Sequence, residues 1–115
     1  MSDIKNIQIQ LCDFAAERNW DQFHSPKNLS MALMAEVGEL LEHFQWLSQE
    51  QSRNLQADVK TEVAAELADI FIYLLRLADK LDIDLMTAAD SKIRKNAIKY
   101  PIKKSSGNAI KYNKL

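Results

Sequence analysis

At 115 residues, 47 % of them hydrophobic, with only two glycines and two prolines, the chain has the size and balance of one folded domain (1–115) and argues against disorder or an all-β fold. No apolar run approaches a membrane span, and the opening MSDIKNIQ lacks a signal-peptide core, so a cytoplasmic protein with no membrane partner is expected. The net charge of −1 conceals an asymmetry: all sixteen acidic residues lie at or before Asp90, while the last 25 residues carry eight basic residues and no acid.

The first long helix is predicted over 3–19, with Ile4, Ile7, Leu11 and Phe14 on one face. Cys12, the single cysteine, has no internal disulfide partner, and its neighbours predict a buried thiol. The helix ends in WDQFHSP, where Ser25 is placed to cap a second helix over 26–47 and Pro26 suits its first turn. A polar connector, SQEQSRNLQAD, leads to a third helix over 59–81. Asp84 is placed to cap a fourth, which fades near Lys99; Tyr100 before Pro101, and then SSGN, mark an irregular tail. The expected architecture is therefore all-α, four helices followed by a basic tail. From charge alone the tail has three readings: a binder of a phosphate-bearing ligand whose metal sits on the acidic body, a solvated tail, or a nucleic-acid arm.

The third helix carries the most information. At about 100° per residue, Val63, Leu67, Ile70, Leu74, Leu77 and Leu81 form one apolar arc. Ala65, Ala68, Ile72 and Leu75 form a second, and a polar stripe of Glu62, Glu66, Asp69, Tyr73, Arg76 and Lys80 runs between them. A helix apolar on both flanks is sandwiched. One small bundle has little with which to cover both, so the second arc is expected to meet another subunit.

The second helix carries EVGELLEHFQW, in which Glu36, Glu39 and Glu42 recur with no Lys or Arg at pairing distance. Like charges at that spacing repel by a few tenths of a kcal/mol, roughly, per pair. Glu36 lies about 40° from Leu40 on the helical wheel, at the edge of the apolar arc. Glu36/Glu39 and Glu66/Asp69 are thus two acidic pairs bordering apolar faces, and antiparallel packing of the two helices would join them. Such a cluster either raises its pKa values or binds a cation. The donors are hard oxygens, and neither His24 nor His43 forms a zinc-type pair, which favours Mg²⁺ or Mn²⁺. Periodicity alone reaches a metal-binding helical bundle and no further.

EVGE, followed by ELAD with 26 residues between Glu39 and Glu66, resembles the ExxE…ExxD signature of the MazG-like all-α nucleoside triphosphate pyrophosphohydrolases. ERNWDQFHSPKNL, EVGELLEHFQW, ELADIFIYL, SKIRKNAIKYP and the terminal KY extend the likeness over residues 10–112, closest to the small dCTP-pyrophosphatase branch. The resemblance implies Mg²⁺-dependent cleavage of a (d)NTP between the α and β phosphates, by a dimer or tetramer whose sites draw on helices of two chains. It implies Glu36, Glu39, Glu66 and Asp69 as metal ligands, with one of them, such as Glu39, as base.

By the same resemblance Lys92 and Asn96 would contact phosphate and sugar or base, Tyr73 would border the sugar, and Lys111 with Tyr112 would close over the site or bind a neighbouring subunit. Trp20 and Trp46 are the candidates to stack on the base, with Phe23 and His24 nearby. His43 is expected to pack at the helix border, and Glu62 to sit outside the ligand set. Two rival classes remain at this point: a metal-stabilised oligomerisation or adaptor module, and a nucleic-acid binder, the latter disfavoured by the acidic body.

Overall fold

The first helix, α1 (Asp3–Glu17), ends earlier than its sequence predicts in the computed structural model, which describes residues 3–115. Its stop is local chemistry. Asn19 takes a left-handed conformation (φ 56°), a geometry that asparagine tolerates better than most residues. The Trp20 N–H then donates to Ala15 O (2.8 Å) and the Asn19 N–H to Ala16 O (3.1 Å), the paired bonds of a Schellman end. Trp20 folds back edge-on to Phe14, ring centroids 5.7 Å apart, which is the apolar contact such an ending usually carries. A 3₁₀ turn, Asp21–Phe23, follows.

Helix α2 (Pro26–Glu42) starts as expected: Ser25 accepts from the Asn28 N–H at 3.1 Å and Pro26 opens the first turn. It stops at Glu42, short of the predicted 47. The His43 N–H reaches Leu40 O (3.2 Å) and the Phe44 N–H reaches Leu41 O (2.9 Å), so the backbone tightens into i→i+3 turns instead of continuing. The polar connector holds a short helix of its own. Ser48 and Gln51 form a reciprocal capping box that starts α3 (Gln49–Arg53).

Helix α4 (Ala57–Lys80) closely matches its predicted span. It packs along α2 and, on another side, against α1. Ala15, Leu29, Val63, Leu75 and Ala78 are the buried apolar residues, and the Gln8 amide donates to Leu75 O at 3.3 Å to tie α1 to α4. Leu75 is fully enclosed within the chain, while Leu67, Leu74 and Leu81 are 52, 38 and 48 % exposed. Each arc is used in part within the chain: α1 covers the Ile72/Leu75 end of the second while Ala65 and Ala68 stay exposed, and Val63 of the first is buried while Leu67, Leu74 and Leu81 open outward with Phe71. Cys12 is exposed, contrary to its predicted burial, because α1 turns Ile4, Ile7, Leu11 and Ala15 inward and Cys12 lies off that stripe.

The residues up to Asp82 form one unit and Ile83–Leu115 a second. In the second, Asp84 caps α5 (Leu85–Lys99) by accepting from the Thr87 N–H at 3.1 Å, as expected. The tail is more ordered than its sequence suggests. A short α6 (Ile102–Ser105) and a 3₁₀ turn (Tyr112–Lys114) are formed, and Tyr112 lies edge-on to Tyr100 with the Lys99 ammonium 4.7 Å above its ring centre. Among the described residues there is no strand, and no helix is long and apolar enough to cross a membrane.

Candidate active site

Packing α2 against α4 brings together acidic residues that are far apart in the chain. Glu36, Glu39 and Glu66 each place a carboxylate oxygen within 4.8 Å of the other two. Glu36 and Glu66 are half-buried, and one oxygen of each, Oε2, is fully enclosed with no hydrogen-bond partner. Burial, then the neighbouring Glu39, Asp69 and Glu66 carboxyls, push Glu36 up to about 7. Burial and Glu39 also raise Glu66, with Glu36 and His43 pulling the other way.

These features fit a hard divalent cation. An octahedral Mg²⁺ holds opposed oxygens about 4.2 Å apart, twice its ~2.1 Å bond. The three carboxylates already span little more than that, and the two orphaned oxygens are the kind of acceptor such an ion satisfies. Buried carboxylate oxygens without a partner are otherwise costly. Asp69 lies outside the tight trio, yet its charge helps raise Glu36, so it flanks the cluster.

His43 was expected at the helix border and does more than fill it. Its Nε2 is 3.9 Å from Glu66 and its Nδ1 3.8 Å from Glu62, so the ring sits between a candidate ligand and the carboxylate one turn before it.

Beside the acids, Asp69 also lines a cavity of about 330 Å³ with Tyr73, Trp20 and His24. Leu11, Phe14, Ala15 and Ile72 supply apolar wall, and Arg76 closes it. The volume is at the small end of ligand pockets, and its mix of apolar wall with a few polar groups is typical of them. Three of the predicted substrate-binding residues, Trp20, His24 and Tyr73, therefore meet in one place. Phe23 (58 % exposed) and Trp46 (86 %) do not line it, since Trp46 falls in the turns after α2 rather than on the helix. Lys92, Asn96 and Lys111 are exposed residues of the second unit.

A network that the sequence reading did not assemble supports the cavity wall. The Arg76 guanidinium, only 5 % exposed, donates to Asp21 Oδ1 (2.8 Å) and to His24 Nδ1 (3.2 Å), with Asp79 3.9 Å away. Lys80 donates to the same Asp21 oxygen. Lys80 and then Arg76 hold the Asp21 carboxyl below its ordinary range. The sequence signal was the presence of Arg76 and Lys80 on the polar stripe; their partner lies 55 and 59 residues away on a 3₁₀ turn.

Residues 31–115 match the model of the MazG-like family. Along its full length the chain is 42 % identical to a protein of Rattus norvegicus named dCTP pyrophosphatase 1 and 38 % identical to its namesake in Homo sapiens, spanning 67 % of each. A solved pyrophosphatase from Archaeoglobus fulgidus, 38 % identical, superposes with a TM-score of 0.83 over 88 % of this chain and 94 % of that one.

Proposed function

This chain belongs to the MazG-like family, and on that premise we propose that it is an enzyme hydrolysing (deoxy)nucleoside triphosphates between the α and β phosphates. The products are a monophosphate and pyrophosphate, and the preferred substrates are deoxynucleotides such as dCTP or its modified forms. Its role is to remove excess or aberrant nucleotides from the pool. One observation carries the reading: Glu36, Glu39 and Glu66 converge with two partnerless buried oxygens, and Asp69 links that cluster to an aromatic cavity.

Glu36, Glu39, Glu66 and Asp69 would hold Mg²⁺, or Mn²⁺ in its place. When bound, such an ion supplies charge neutralisation for the triphosphate and a more acidic water. Glu39, the exposed member of the trio, keeps an accessible carboxylate to take a proton from the attacking water. Trp20 offers its ring to the base, a contact that contributes roughly 1–3 kcal/mol. Tyr73, one turn beyond Asp69, borders the sugar, where close packing would disfavour a 2′-hydroxyl. By the family resemblance Lys92 and Asn96 would contact phosphate and sugar or base, Lys111 would close over the site or bind a neighbouring subunit, and Phe23 and Trp46 would complete the base site.

The enzyme works as a homo-oligomer, a dimer or dimer of dimers. Met31 and Met34 on α2 are 61 and 67 % exposed, and Leu67 and Phe71 on α4 are 52 and 40 % exposed, an apolar surface that a second copy would cover.

Pyrophosphate release from the four dNTPs and four NTPs, with Mg²⁺ and with EDTA, tests the function directly. Turnover that requires Mg²⁺ and falls by about 10²-fold or more in Glu39→Ala is the expected result. Orthophosphate as the product would overturn the reaction class. No turnover in protein whose melting temperature still rises with Mg²⁺ would replace the enzyme with a metal-stabilised adaptor.

A further inference from the structure

Arg76 is the one buried charged residue among those described, and it faces the cavity rather than the acidic trio. A guanidinium has donors and no acceptor. Its Nε–H donates to His24 Nδ1 at 3.2 Å, so that nitrogen must be the unprotonated one. An imidazolium there would set N–H against N–H beside a fixed positive charge. Burial and the Arg76 charge accordingly hold His24 below its ordinary range, against an opposing pull from Asp21.

The arrangement is braced from several sides. Asp21 anchors Arg76 through Nη2 at 2.8 Å and is itself held by Lys80. Asp21 and His24 are the two ends of one turn, closed by the His24 N–H donating to Asp21 O at 3.0 Å. The Asn28 amide clips Phe23 O at 3.0 Å, and the Gln22 amide clips Asn19 O at 2.9 Å. With Nδ1 occupied, the ring's proton resides on Nε2, on the side away from Arg76. Among the described residues, His24 Nε2 has no hydrogen-bond partner, although His24 lines the cavity.

We propose that Arg76 is a positioning residue that locks His24 as its neutral, Nε2-protonated tautomer, giving the cavity a fixed donor for an acceptor atom on a nucleobase. This rests on the cavity being the nucleoside site. The acceptor is a carbonyl oxygen or an unprotonated ring nitrogen, such as O2 or N3 of cytosine. A base that turns an amino group toward the same point would meet donor against donor. The turn between α1 and α2 thereby takes part in base selection through a group that never carries charge during binding.

Long-range ¹H–¹⁵N spectra of the free protein at pH 7 read the tautomer without any substrate. His24 is expected to be neutral with the proton on Nε2, and Arg76→Met to yield a mixture of tautomers. Kinetics on dCTP with Mg²⁺ read the donor. Arg76→Met and His24→Asn should raise KM by about tenfold, the loss of one hydrogen bond, with a smaller effect on kcat. His24→Gln, whose amide can donate from near the Nε2 position, should stay within about threefold. The two His24 variants leave Arg76 and Asp21 in place, so they decide the matter even if Arg76→Met does not fold. An Nδ1-protonated or charged His24 in the wild-type protein would overturn the proposal. So would equal KM values for the Gln and Asn variants. Failure of every dNTP to turn over would refute the nucleoside reading and base recognition with it, while the tautomer result stands or falls separately.

Discussion

The acidic cluster should make the metal-free protein less stable as the solution becomes more alkaline, and replacing Glu36 by Gln should remove that loss. Glu36 ionises at about 7 in the folded chain against the ordinary 4.5. A group whose folded pKa is raised contributes stability below its unfolded pKa and forfeits it as pH climbs through the folded one. For Glu36 the window runs from about 4.5 to 7. At about 1.4 kcal/mol per tenfold change in proton affinity, the penalty at pH 8 is at most ~3.5 kcal/mol, and water screening reduces it to about 1–2. With an unfolding entropy of ~2.1 cal/mol/K per residue, that corresponds to roughly 4–8 °C in Tm.

The assay is thermal melting of wild type and Glu36→Gln at matched protein concentration, in EDTA, from pH 4.5 to 8. The difference between the two isolates Glu36 from every other titrating group. Gln should be the more stable by pH 8 and nearly equal at pH 4.5. With Mg²⁺ at about 100 times its Kd, wild type gains ~2.7 kcal/mol and the order reverses. A Glu36→Gln protein that melts lower than wild type in EDTA at pH 8 would refute the account of the cluster.

Leu75→Ala, which empties a fully enclosed position, should cost about 2–5 kcal/mol in denaturant unfolding. Ser48→Ala removes one half of the capping box and should cost about 1 kcal/mol, with hydrogen exchange rising first in α3. Phe71→Glu places a charge on the exposed apolar face of α4; light scattering should then report a smaller assembly, while wild type remains oligomeric. Asn19→Gly should melt within about 1 kcal/mol of wild type and Asn19→Val well below it, because only the β-branched side chain strains the left-handed backbone at the end of α1.

The parts of this fold that sequence disclosed were those governed by local rules. Ser25 and Asp84 announced the starts of α2 and α5, and the periodicity of the two long helices, with one acidic pair on α2 and one on α4, led directly to the cluster. The capping box at Ser48 and Gln51 was also local and readable, but a polar composition disguised it as a loop. What sequence could not give was which residues of the two apolar arcs of α4 are covered within the chain, since both satisfy the same periodicity and the approach of α1 selects the Ile72/Leu75 end. The Asp21–Arg76–His24 network was hidden for a related reason. Its members are joined across more than fifty residues by the angle at which the chain leaves the left-handed Asn19.

That angle has an evolutionary consequence. Glu66, Asp69 and Tyr73 are locked together by the pitch of one helix, so the cluster and the cavity floor cannot drift apart. Trp20 and His24, by contrast, reach the cavity from a short turn held by side-chain clips and by Arg76. Substitutions confined to that turn could reshape what the cavity admits and leave the α2–α4 acids undisturbed. On the proposed function, selectivity and reactivity would thus be able to change separately, with Arg76 the residue through which the turn is fastened to α4.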